Sequence, residues 1–239
     1  MPFKLKYPIL YLWQSNANQR RFCAAKMLKI YFTAIHHAPA PATVQARLHL
    51  LPQPIRATIA AYTNPFEQVL QLSSKLLLRK LMEYFETTRL VGLEEITLSK
   101  TGQPHFNKAL YFSNSRSGII AASAASKVAP VGIDVEKITD IDLVNYQEYF
   151  TLTEWEYIAH SPNQTETFFT LWTRKEAVVK AAGVGLYANL ASFDVLNNPC
   201  ICNKTAYYLT NVPLMSGFVC HIATTLDSQK VEVAELTLF

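Results

Sequence analysis

A run of helix-forming residues from Thr165 to Ala182, with no proline or glycine until Gly183 and Gly185, most restricts how this chain can fold. Phe168, Phe169 and Leu171 lead into Trp172-Thr173-Arg174-Lys175-Glu176-Ala177-Val178-Val179-Lys180. Side chains four apart stack on a helix, so Trp172, Glu176 and Lys180 share one row. A carboxylate beside an amine on an otherwise apolar helix is a charge pair or half of a reaction site. The helix alone does not choose.

The second informative stretch is Val131-Gly132-Ile133-Asp134-Val135-Glu136. Read as a strand, it turns Ile133 and Val135 to one side and Asp134 and Glu136 to the other. Two acidic groups on one face of a strand repel each other. The pattern admits two readings: an exposed edge that blocks aggregation, or carboxylates holding a divalent cation.

Around these two stretches the chain alternates strands and helices. Met27–Thr33 reads as a strand, Thr43–Ala61 and Asn64–Thr88 as helices, and Glu94–Leu98 as a strand before the turn Lys100-Thr101-Gly102-Gln103-Pro104. Extended segments at Leu110–Phe112 and Gly118–Ala124 are expected on either side of a polar turn, Ser113–Ser117. Short helices follow at Leu143–Phe150 and Thr153–His160, the latter capped by Thr153. The tail from Phe193 to Phe239 alternates in short runs and predicts an antiparallel sheet.

Half of the 239 residues are hydrophobic and 17% are charged, which supplies a real core and argues against disorder. A formal charge of +4, without basic runs, excludes a nucleic-acid groove while permitting an anionic ligand. No apolar run is long enough for a membrane helix, and none of the four cysteines forms a C-x-x-C pair. A cytoplasmic protein with reduced thiols is expected. Seven glycines include no Walker loop and no G-x-G-x-x-G, so side chains and metal must hold any phosphate. Hard carboxylate oxygens near a lysine suit a diphosphate ester with magnesium.

Gly132-Ile133-Asp134-Val135-Glu136, followed by Trp172 to Lys180 and Gly183-Val184-Gly185-Leu186, resembles the signature of the Sfp-type 4'-phosphopantetheinyl transferases. The likeness runs from about Met27 to the C-terminus. It implies an α+β fold of two similar subdomains related by a pseudo-twofold, each an antiparallel sheet packed with a long helix. Residues 27–128 and 129–239 would be the subdomains, and residues 1–26 an N-terminal extension. The implied reaction moves phosphopantetheine from coenzyme A to a serine of an apo acyl or peptidyl carrier protein and releases adenosine 3',5'-bisphosphate. The resemblance makes Asp134, Glu136 and Glu176 ligands of Mg2+, Glu176 the acceptor of the serine proton, and Lys180 the contact to the diphosphate. Lys175 would line the same side, and the protein would act as a monomer.

The chain departs from the family at the nucleotide end. The family's G-[KR]-P turn is Gly102-Gln103-Pro104 here, and its S-H-S turn is Ser113-Asn114-Ser115. Arg56 is what remains of an early basic stretch, and Gln71 or Leu70 stands at a position that usually carries arginine. Gln and Asn still donate hydrogen bonds, but each loses a charge-assisted contact, which is about twice as strong as a neutral one. An alternative therefore stands beside the enzyme: a non-catalytic relative that binds a carrier without efficient transfer. The family docks its carrier on the segment corresponding to Ile138–Phe150. With Asp140, Asp142 and Glu148 there, apolar contacts through Val144, Tyr146 and Tyr149 are expected to dominate.

Overall fold

The computed structural model describes residues 27–86, 92–101, 104–106, 110–185, 189–227 and 230–239. The extension 1–26, Gly102 and Gln103 lie outside them. The fold is α+β, with two four-stranded sheets and a long helix on each.

The first sheet is built on β1 (Met27–Ala34), whose alternate residues Leu28, Ile30 and Phe32 are buried. Its antiparallel neighbour β5 (Ile120–Ser126) forms a hairpin with β4 (Tyr111–Ser117). The Ser113–Ser117 segment, expected as a turn, is thus a strand. Its serines alternate with period two, and the reversal falls at Gly118, whose φ of +54° is left-handed.

Helix α3 (Pro65–Tyr84) covers this sheet with Leu70, Leu72, Leu77 and Leu81. The Asn64 side chain caps it by accepting the N–H groups of Phe66 and Glu67. The single helix expected over Thr43–Ala61 is two, α1 (Pro41–Leu48) and α2 (Gln53–Ala60). Pro52 has no N–H to continue the first, so it opens the second. Glu94–Leu98, expected as a strand, is a 3-10 turn at Leu93–Glu95 and then β2 (Thr97–Leu98), which pairs with β3 (Pro104–His105).

The second sheet has the order β6 (Val131–Lys137), β9 (Phe218–Thr224), β8 (Thr205–Asn211), β7 (Cys200–Cys202). A 3-10 segment, Leu143–Tyr149, leads to α4 (Leu152–Ala159) and then to α5 (Gln164–Ala182). Thr151, rather than Thr153, caps α4 through a capping box with Glu154. Gly183 closes α5 at φ +69°.

The tail does not stay in this sheet. Strand β10 (Lys230–Glu235) crosses back and pairs in parallel with β1, Leu28 opposite Val231 and Ile30 opposite Val233. The link between β5 and β6 thus separates the two sheets without dividing the chain into two closed pieces. A shared core of Leu28, Ile30, Ile133, Val135 and Ile222 joins them. Among the described residues no helix is long and apolar enough to cross a membrane.

Strand β6 lies on α5 with almost no spacing. A Cβ at position 132 would stand 1.9 Å from the Ala177 carbonyl oxygen and 2.6 Å from the Ala181 nitrogen. Backbone cannot yield as a side chain does, so Gly132 sets this distance. Gly132→Ala is expected to cost about 1–3 kcal/mol or more by forced separation of strand and helix. Urea unfolding checks this; an unchanged midpoint would contradict the close approach.

Candidate active site

Strand β6 and helix α5 bring together the residues that the two sequence stretches single out. Lys180 Nζ donates to Asp134 Oδ1 at 2.6 Å and to the Ile133 carbonyl at 3.2 Å. Asp134 is 3% exposed, so the exposed-edge reading of this strand fails. Its Oδ1 also accepts Ser115 Oγ at 2.8 Å, while its Oδ2 is buried with no hydrogen-bond partner. Glu136 accepts Ser117 Oγ at 2.6 Å.

Burial pushes the Glu136 carboxyl up to about 7, and repulsion from Asp134 and Glu176 adds to it against the Ser117 hydrogen bond and Lys180. Burial likewise raises Glu176, with Asp134 adding and Lys180 opposing. Three carboxylates and one ammonium thus feel one another's charge. Trp172, in the same row as Glu176 and Lys180, packs instead on Phe168, Tyr146 and Tyr149 and anchors the helix.

The donor set fits a hard divalent cation. It is all oxygen, its carboxylates repel, and Asp134 Oδ2 is an orphaned buried acceptor. Among the described residues no three His, Cys, Asp or Glu side chains already converge as a metal cluster. The carboxylates are coupled by charge but not drawn together.

Beside them, Lys180 lines a cavity of about 360 Å³ with Pro104, His105, Tyr111, Val131 and Gly183. Thr101 is tied to the end of α5, where its Oγ1 donates to the Gly183 carbonyl at 2.6 Å. Gly185, at φ +63°, lies so close to the Thr101 carbonyl that a Cβ would be 2.2 Å from it.

Lys175 does not join this group. It is fully buried on another side of α5, where Nζ meets Glu154 Oε2 at 2.7 Å, the Phe193 carbonyl at 2.7 Å and the Leu190 carbonyl at 2.8 Å. Adjacent helix positions point about 100° apart, which separates Lys175 from Glu176. Arg56 sits on α2 against His49 and is not among the cavity's lining residues. Ser113 Oγ accepts the Ile133 N–H, Gln71 donates to the Tyr62 hydroxyl, and Asn114 Oδ1 is buried without a partner.

Several groups escaped the sequence reading. Glu154, in the first turn of α4, is fully buried opposite Lys175. His221, across from Asp134, shares a 2.8 Å hydrogen bond with Thr173, and burial lowers it to about 3, so it is a neutral core group. Lys75 on α3 is depressed by burial and by the neighbouring Arg116, whose Nε is buried without a partner. Among the described residues no carboxylate forms an ion pair with either.

Residues 130–218 match the family model of the 4'-phosphopantetheinyl transferase superfamily. The 4'-phosphopantetheinyl transferase gsp of Aneurinibacillus migulanus is 29% identical over 194 residues, 73% of this chain and 79% of that protein. The transferase Sfp of Bacillus subtilis strain 168 is 36% identical over 93 residues, and psf-1 of Bacillus pumilus 38% over 87. These two matches cover 38% and 36% of this chain and 38% and 37% of those proteins. Over these spans the chain is similar to 4'-phosphopantetheinyl transferases, Sfp among them.

The raised carboxyls give a stability signature. Glu136 binds its proton more tightly folded than unfolded, so the folded state holds extra protons between pH 4.5 and about 7. Stability without divalent cations is therefore expected to fall as pH rises through that window, by on the order of 2 kcal/mol from this group. Urea midpoints in a chelating buffer check this, and Glu136→Gln is expected to flatten the profile.

Proposed function

We propose that this chain transfers the 4'-phosphopantetheine group of coenzyme A to a serine hydroxyl of an apo carrier protein. The observation that carries this reading is Lys180. It touches Asp134 and lines the neighbouring cavity, so carboxylates and ligand space share one ammonium. The subdomains implied by residues 27–128 and 129–239 would bind coenzyme A between them.

In this reading Asp134, Glu136 and Glu176 hold Mg2+, which when bound neutralises diphosphate charge. Lys180 neutralises a phosphate oxygen and orients the diphosphate. The serine oxygen attacks the phosphorus bearing pantetheine, the bond to the bridging oxygen breaks, and adenosine 3',5'-bisphosphate leaves with that electron pair. Glu176 takes the serine proton, and its raised affinity for a proton suits a base near neutral pH. Lys75 and Arg116, half-buried cations side by side, are proposed to replace part of the charge missing at Gln103 and Asn114 by meeting a nucleotide phosphate.

The carrier is proposed to dock beside the 3-10 segment. Tyr146 is committed to packing on Phe168 and Trp172, so the apolar surface consists of Val144, Leu152 and Tyr149. A monomer in the cytoplasm is part of the same proposal; the free, buried thiols of Cys200, Cys202 and Cys220 support the compartment.

The test is incubation with Mg2+, coenzyme A and a panel of apo carriers, read by intact mass. A phosphopantetheine adduct is expected on at least one, and Arg116→Ala is expected to weaken coenzyme A binding about tenfold or more. Coenzyme A binding without an adduct on any carrier would instead favour the non-catalytic relative.

A further inference from the structure

The two sheets meet edge to edge, at β4 and β6, without a backbone ladder between them. Three serine hydroxyls stand in its place. Ser113 Oγ accepts the Ile133 N–H at 3.1 Å, Ser115 Oγ the Val135 N–H at 3.1 Å, and Ser117 Oγ the Lys137 N–H at 2.9 Å. The register advances two for two, so the strands run side by side in one direction. Each hydroxyl satisfies an edge N–H, and at the buried Ile133 and Val135 that group would otherwise be left unpaired away from water.

A serine hydroxyl has one proton and two lone pairs. Once a lone pair is engaged by a fixed amide, the proton is left to point elsewhere. Ser115 donates it to Asp134 Oδ1 at 2.8 Å and Ser117 to Glu136 Oε2 at 2.6 Å. At Ser113 the residue in the matching place is Gly132, which offers no carboxylate.

We infer that Ser115 and Ser117 are positioning residues for a divalent cation: each relays a β6 amide into one oxygen of a repelling carboxylate and leaves the other oxygen for the ion. This rests on the reading of Asp134, Glu136 and Glu176 as cation ligands. Ser113 belongs to the same junction but not to the relay, so the structure contains its own control. The cation site in the second sheet thus depends on a strand of the first. Outer hydrogen bonds of this kind are worth about 10–100-fold in metal affinity.

The experiment is Mn2+ titration of the full chain, followed by electron paramagnetic resonance of the free ion, with circular dichroism on each variant. Ser115→Ala and Ser117→Ala are expected to weaken Mn2+ binding about 10–100-fold. Ser113→Ala is expected to bind as the parent does, and Ser117→Thr, which keeps the hydroxyl, to restore affinity. Ser117 is half-buried at the strand end, so its variants remain informative even where Ser115→Ala fails to fold. Folded Ser117→Ala with parental affinity would overturn the inference, as would an equal loss in Ser113→Ala. A parent chain that does not bind Mn2+ would instead overturn the cation reading beneath it.

Discussion

Glu176→Gln is expected to abolish phosphopantetheine transfer while making the cation-free protein harder to unfold. Glutamine keeps the shape but cannot take the serine proton and offers a cation only a neutral amide oxygen, and loss of general base catalysis alone costs about 10²–10⁴-fold in rate. The stability sign is opposite. Burial and Asp134 raise the Glu176 carboxyl, so above the ordinary carboxylate range the charged form opposes folding. Removing that charge is expected to raise Tm at pH 7.5 in a chelating buffer by about 2–4 °C per kcal/mol regained. Initial rates by intact mass and a thermal melt test both halves. A variant with parental rates would remove Glu176 from the reaction, and a lowered Tm would mean that its neighbours need its charge.

Lys175→Met is expected to do the reverse: a large loss of stability with coenzyme A binding retained by the folded fraction. The Lys175 ammonium is fully buried and meets a carboxylate and two carbonyls. Glu154 keeps the N–H groups of Thr151 and Val195, both at 2.9 Å, but loses the opposing charge. Breaking a buried pair from one side costs about 3–5 kcal/mol, on the order of 10 °C in Tm here. The double variant Lys175→Met, Glu154→Leu is expected to recover much of this, since an apolar pair needs no compensation. Melts of the two variants and coenzyme A titrations at low temperature separate the roles. Weakened binding with little change in Tm would return Lys175 to the ligand.

The same helix shows how far local sequence reaches. Thr165–Ala182 reads as helix from its residues, Gly183 as its stop, and the Trp172, Glu176, Lys180 row from a spacing of four. Neighbours one apart are harder: Lys175 and Glu176 are adjacent in the motif, yet one faces Glu154 and the other Asp134. Nothing local distinguishes them, because the choice depends on what packs against each side. The serines of β4 fail for a related reason. A polar alternation reads as a turn until another strand edge is brought up to it.

What this chain's sequence determined by itself is what repeats over a few residues: the helices, the alternation that turns Asp134 and Glu136 together, and the two motifs that resemble the transferase signature. Only the tertiary structure decided the long-range pairings. It carried β10 back to β1 across the whole chain, buried Lys175 on Glu154, and set Ser115 and Ser117 on the carboxylates. Periodicity is written in neighbouring residues, whereas a partner for a buried charge or an unpaired strand edge is supplied by whatever the folded chain brings beside it.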